Sequence, residues 1–295
     1  MLGSLRLGKF FGIDVYVHAT FWLLPLFVFL SGSFSGNASG AAFDVLVLFG
    51  VFGCIVLHEV GHALAARYYR IGTRDITLYP IGGVARLERM PERPLQEIVV
   101  ALAGPAVNLV IAGGLLAGLL VGNSVIPQSF SRSGLDLVDV FVIQLLVANI
   151  GLLLFNLLPA FPMDGGRVLR AVLGFGMSRV QATRVAVGVG TVVAVGFGLV
   201  GLFGIPPLGI SGGNLSLILV AVVVYLLGHG ELAGVQAADA RQWLQRAHAD
   251  GFEATTRTTQ AGSRGDRFTG WMWDPVRRVW GQWQDGVLVR EVAVM

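Results

Sequence analysis

Six stretches of this chain are apolar over enough length to cross a lipid bilayer: 15–31, 42–69, 95–121, 136–158, 180–203 and 215–228. A spanning helix needs about 20 predominantly apolar residues. In hydrocarbon every backbone polar group must be paired within the protein, so runs of this kind restrict the chain to helices or a closed barrel. Their length selects helices. Composition agrees, with 54% hydrophobic and 13% charged residues, against about 25% charged in a soluble domain. The expected fold class is an all-α polytopic membrane protein with about six transmembrane helices. The one cysteine, Cys54, excludes an internal disulfide framework and any multi-cysteine metal cluster. The first stretch is short and is followed by small residues at 32–40, as after a signal peptide. Its start fourteen residues in, with His18 and Trp22 inside it, favours a retained span.

Lysine and arginine set the expected orientation. Arg6 and Lys9 precede the first stretch. Arg67, Arg70, Arg74, Arg86, Arg89 and Arg93 follow the second, and Arg167, Arg170, Arg179 and Arg184 follow the fourth. The alternate loops, near 32–41, 122–135 and 204–214, contain only Arg132. A multi-pass protein of the cell (inner or cytoplasmic) membrane with both termini in the cytosol is the expectation. From about Glu231 charges become frequent, which divides the chain into a membrane domain over 1–230 and a small cytosolic tail over 231–295. The tail is expected to be α+β: an amphipathic helix over 233–249, then strands over 268–294 with a turn at Asp285-Gly286.

The second stretch contains His58-Glu59-Val60-Gly61-His62. Histidines at i and i+4 share one helical face, so both imidazoles reach one ion. Zinc accepts imidazole nitrogen, and a catalytic site keeps a position open for water. Glu59 adjoins the first histidine, where a carboxylate takes a proton from that water. Chance would produce the pattern on the order of 0.002 times in a chain of this composition. His58 lies nine residues before Arg67, hence ~14 Å inside the expected cytosolic edge. Ionisable groups at that depth are costly and mark function.

Two histidines leave a catalytic zinc site one protein ligand short. The fourth stretch ends in Asn156-Leu157-Leu158-Pro159-Ala160-Phe161-Pro162-Met163-Asp164-Gly165-Gly166, where two prolines and two glycines break the helix. Broken backbone at membrane depth is tolerated where it is buried in protein or lines a wet cavity. From spacing alone, Asp164 reads equally as a metal ligand in such a break or as a turn aspartate at an ordinary helix exit.

HEVGH in the second stretch, Gly104-Pro105-x-x-Asn108 in the third and N-x-x-P-x-x-P-x-D-G-G closing the fourth together resemble the site-2 protease (M50-type) family of intramembrane zinc metalloproteases, over roughly residues 10–230. The resemblance implies a zinc metalloendopeptidase with one zinc per chain. His58, His62 and Asp164 would be the ligands and Glu59 the general base. It implies substrates that are themselves transmembrane helices, such as anti-sigma factors, membrane-tethered regulators or signal-peptide remnants. The expected partners are therefore transmembrane protein substrates and the lipid bilayer, with homo-oligomers an open option and nucleic acid not among them. No PDZ or CBS module of the kind the family often carries is visible.

Residues 74–89 alternate loosely about Gly82-Gly83 and read as a membrane-associated β-hairpin. A transmembrane substrate must be unwound before its carbonyls are exposed, and a free strand edge would hold it extended. Ile76 and Val84 are the candidate substrate-binding positions on this hairpin; a plain interfacial loop accounts for the pattern equally well. Asn156 either hydrogen-bonds substrate or the oxyanion or satisfies carbonyls freed by the prolines, and the resemblance favours the first. Asn108 is expected to bond between helices, and Cys54 to be a packing residue. Two rivals differ in class. A membrane binding or transport protein that kept this fold would explain the broken helices, but not an intact Glu59. A prenyl-protein peptidase type would take a glutamate as third ligand, and no glutamate lies between Glu97 and Glu231.

Overall fold

The computed structural model describes residues 3–34, 36–91, 93–125, 137–205, 210–249, 269–274, 279–284 and 287–293. The chain divides into two compact units, Met1–Gln236 and Ala237–Met295.

The first unit opens with a hairpin that the apolar count conceals. Strands β1 (Ser4–Phe10) and β2 (Ile13–His18) pair antiparallel across Phe11 and Gly12. Both turn residues have positive φ, 50° and 88°, as a two-residue hairpin turn requires. In β2 the alternate residues Ile13, Val15 and Val17 are buried, the period-two signature of a half-buried strand. The expected first span, 15–31, is therefore split. Its start is strand, and the apolar helical remainder, Ala19–Phe34, is short: sixteen residues reach only about 24 Å. Helix α1 (Leu23–Phe34) forms most of that remainder.

Helix α2 (Ala38–Tyr68) carries the HEVGH segment. Its N-terminus is capped by Asn37, whose side chain accepts from Gly40 N. Strands β3 (Thr73–Tyr79) and β4 (Gly82–Leu87) follow; they are the expected hairpin, but not a free-standing one. β2 joins β3 in parallel, giving a four-stranded sheet ordered β1-β2-β3-β4. The all-α expectation is corrected to that extent. The sheet is anchored to α2 through a cluster of Ile13, Val15, Ile76, Val60 and Ala63.

Helices α3 (Pro94–Val125), α4 (Leu137–Asn156), α5 (Asp164–Leu173) and α6 (Arg179–Phe203) complete most of the bundle. Gly61 lets α2 and α3 cross closely: a Cβ there would lie 2.8 Å from the Ala103 carbonyl oxygen. α6 starts in a capping box between Ser178 and Gln181. Short strands β5 (Gly204–Ile205) and β6 (Ile210–Ser211) lead to α7 (Leu215–Ala249). The sequence suggests a span ending near 228 and a separate helix over 233–249, yet α7 runs through both without a break. Among the described residues, α2, α3, α4, α6 and α7 are long and apolar enough to cross a membrane. The chain is a multi-pass membrane protein.

In the second unit, β7 (Gly270–Asp274), β8 (Val279–Gln284) and β9 (Val287–Ala293) form an antiparallel meander. Trp273 and Trp280 are cross-strand partners with ring centroids 5.5 Å apart. The expected turn at Asp285-Gly286 and most of the loop around Arg132 lie outside the described residues.

Candidate metal centre

Helical periodicity places His58 and His62 one turn apart on the buried face of α2. The third group comes from a segment 102 residues beyond His62. After α4 the chain turns through Pro159, Ala160, Phe161 and Pro162 and re-enters a helix at Asp164. Gly165 is required there, because a Cβ would lie 2.3 Å from the Leu158 carbonyl oxygen and 2.4 Å from that of Leu157. The first turn of α5 thus folds directly onto the end of α4, which aims Asp164 inward.

The three side chains converge. His58 Nε2 and His62 Nε2 are 3.0 Å apart, and Asp164 Oδ2 is 3.1 Å from His62 Nε2 and 3.2 Å from His58 Nε2. All three residues are buried, at 5–6% exposure, inside an apolar bundle where isolated charges are costly. A tetrahedral ion with bonds of about 2.0 Å holds neighbouring ligand atoms about 3.3 Å apart, close to the observed spacing. The donor chemistry fits as well. His62 Nδ1 donates to the Val100 carbonyl oxygen at 2.7 Å. In the neutral ring this leaves Nε2 as a lone-pair donor facing the other two groups. Two imidazole nitrogens and a carboxylate oxygen form a zinc-type ligand set.

Helix α3 shapes the wall of the site. A Cβ at Gly104 would lie 2.2 Å from His62 Nε2 and 2.7 Å from His58 Nε2. Only glycine lets the α3 backbone come this close. The same helix supplies the Val100 carbonyl, which no side-chain pattern reveals. Glu59 is half-buried beside His58, and its Oε2 accepts from the Ala85 backbone N–H at 3.1 Å. A Cβ on Gly83 would meet Glu59 Cγ at 2.8 Å, so β4 lies directly over this carboxylate.

The remaining candidates are placed less directly. Asn156 is the last residue of α4 and half-buried, with no hydrogen bond to the three converging groups. Val84 lies on the edge strand β4 with 46% exposure. Ile76 is not at an edge: β3 is an interior strand, and Ile76 is fully buried against Val60 and Ala63. The hairpin reading missed this because it left out β2, which covers the other side of β3. Asn108 is fully buried, and neither amide atom has a partner among the described residues. Cys54 is buried and accepts from Asn149 Nδ2 at 3.2 Å.

A membrane bundle with a buried histidine–histidine–aspartate centre and a glutamate beside it defines a class of intramembrane metal site, and comparison with known proteins gives the family. The model for Peptidase family M50 matches residues 46–134 and 125–197. The chain is 35% identical over 222 residues to a zinc metalloprotease of Methanocaldococcus jannaschii, covering 75% of this chain and 58% of that protein. A relative from Synechocystis sp. is 34% identical over 71% of this chain and 55% of its own length. The fold matches the solved structure of the site-2 protease from Methanocaldococcus jannaschii with a TM-score of 0.53 and 33% identity, over 78% of this chain and 95% of that one. The chain belongs to peptidase family M50. It spans a little over half the length of these two curated relatives.

Proposed function

We propose that this chain is an intramembrane zinc metalloendopeptidase that hydrolyses peptide bonds within or near the transmembrane helix of single-span membrane proteins. The convergence of His58, His62 and Asp164 inside an apolar bundle carries the reading. These residues would hold one zinc per chain, which would supply Lewis acidity for peptide hydrolysis. Glu59 accepts the proton of the attacking water and delivers it to the leaving amine. Asn156, at the end of α4 on the loop leading to Asp164, hydrogen-bonds the substrate or the developing oxyanion. Strand β4, the edge strand on which Val84 lies, receives the unwound substrate by strand addition.

The arginine distribution supports a cytosolic position for both termini and for the sheet, in the cytoplasmic membrane. The tail beyond the first unit, from residue 237, is then cytosolic. Substrates of this class include membrane-tethered regulators and signal-peptide remnants. Replacing Glu59 by Gln in the producing cell tests the reading. Single-span membrane proteins are expected to accumulate uncut. An unchanged membrane proteome, with the variant present at the wild-type level, would contradict it.

A further inference from the structure

Arg170 is 1% exposed, the most deeply buried cation among the described residues, and it lies outside the metal centre. It is on α5, six residues after Asp164. Its Nε and Nη2 both donate to Glu97 Oε1, at 2.8 and 2.5 Å, and its Nη1 donates to Glu231 Oε1 at 2.6 Å. Its guanidinium carbon lies 5.0 Å from the ring centroid of Phe161, a buried residue of the loop that delivers Asp164. A buried guanidinium with carboxylates on two sides contributes little net stability against an apolar replacement of the group. Its geometric consequence is more specific.

Glu97 and Val100 are three residues apart on α3, on neighbouring positions of one helical face. Val100 holds the Nδ1 of His62, and Gly104, one turn further, abuts both histidine rings. The Arg170–Glu97 pair therefore ties the α3 segment that orients His62 to the helix that begins with Asp164. α5 has ten residues, and Arg170 is on its second turn. Phe161, under the guanidinium, ties the preceding loop to the same point. Glu231 adds α7 as a third attachment.

We infer that Arg170 is a positioning residue that holds Asp164 at its separation from His62. This inference rests on the reading of His58, His62 and Asp164 as the zinc ligands. Outer groups that orient ligands change metal affinity by about 10- to 100-fold when removed. Lysine keeps the charge of Arg170 but not the planar fork, so it restores only part of the effect. Glu231 lies on α7 shortly before the boundary between the two units at 236–237.

Zinc transfer from purified full-length holoprotein to a chromophoric chelator tests this without relying on turnover. Arg170→Met alone would strand a buried Glu97 and risks misfolding. The paired variant Arg170→Met/Glu97→Met removes both charges, and its melting temperature reports folding separately. The expected result is a folded double variant that releases zinc about 10- to 100-fold faster than the wild type. Arg170→Lys and Glu231→Gln should fall between the two. Wild-type release from the folded double variant and from Arg170→Lys would overturn the inference. His58→Ala, measured alongside, separates the two readings: if it too retained zinc, the assignment of the metal centre would fall, and this inference with it.

Discussion

The carboxylate of Glu59 accepts the backbone N–H of Ala85 at 3.1 Å, so the group beside the first histidine is held by the strand at the edge of the sheet. Ala85 pairs with Ile76 across the β3–β4 ladder. Its N–H points to Glu59, which makes this a pair without mutual hydrogen bonds, and alternation gives Gly83 the same outward phase. Val84 faces Thr77 in the intervening pair, so its N–H belongs to the ladder. A strand added to β4 must meet Ala85 and Gly83, and the first of these amides already serves Glu59.

Ala85→Pro removes that donor and leaves the β3 ladder intact, and proline is tolerated on an edge strand. A hydrogen bond to a charged group contributes about 1.5–3 kcal/mol, so turnover should fall about 10- to 100-fold with zinc content unchanged. Val84→Pro should instead lower the melting temperature. Purified variants assayed for metal, melting and cleavage distinguish the two; equal effects of both prolines would contradict the assigned phase.

Gly104→Ala should be the most damaging small substitution in α3. Alanine favours a helix by about 1 kcal/mol over glycine, yet its methyl would lie 2.2 Å from His62 Nε2. The expected outcome is normal expression with zinc affinity reduced at least about tenfold, in the range seen when ligand orientation is lost. Equilibrium competition with a chelator checks it. Wild-type affinity would mean that α3 can withdraw from the histidines.

The arginine pattern makes a topological prediction. In a background without Cys54, a cysteine replacing Met90 should be unreachable by a membrane-impermeant thiol reagent applied from outside. Cysteines at positions 128 and 209 should be labelled. The reverse pattern would invert the orientation and place Glu59 near the opposite face.

Much of the candidate metal centre was legible because its signals are local. His58, Glu59 and His62 sit within one helical turn and a half, and the prolines and glycines around Asp164 mark a broken helix within a few residues. What was not legible depends on backbone or on distance. The Val100 carbonyl has no side-chain signature. Glu97 and Glu231 stand 73 and 61 residues from Arg170, so their convergence is a property of helix packing. The strand Ile13–His18 was hidden because its buried Ile13, Val15 and Val17 run straight into the apolar helix at 19–34 and read as one span. That omission also misplaced Ile76, whose strand is an edge only if β2 is absent.

Metal analysis of the purified chain tests the central claim most directly, because His58, His62 and Asp164 meet within 3.0–3.2 Å in a buried site. The account predicts about one zinc per chain in the wild type and in Glu59→Gln, and almost none in His58→Ala or Asp164→Ala. Full zinc content in the Asp164→Ala protein, or its loss in Glu59→Gln with the fold intact, would contradict the roles assigned to these residues.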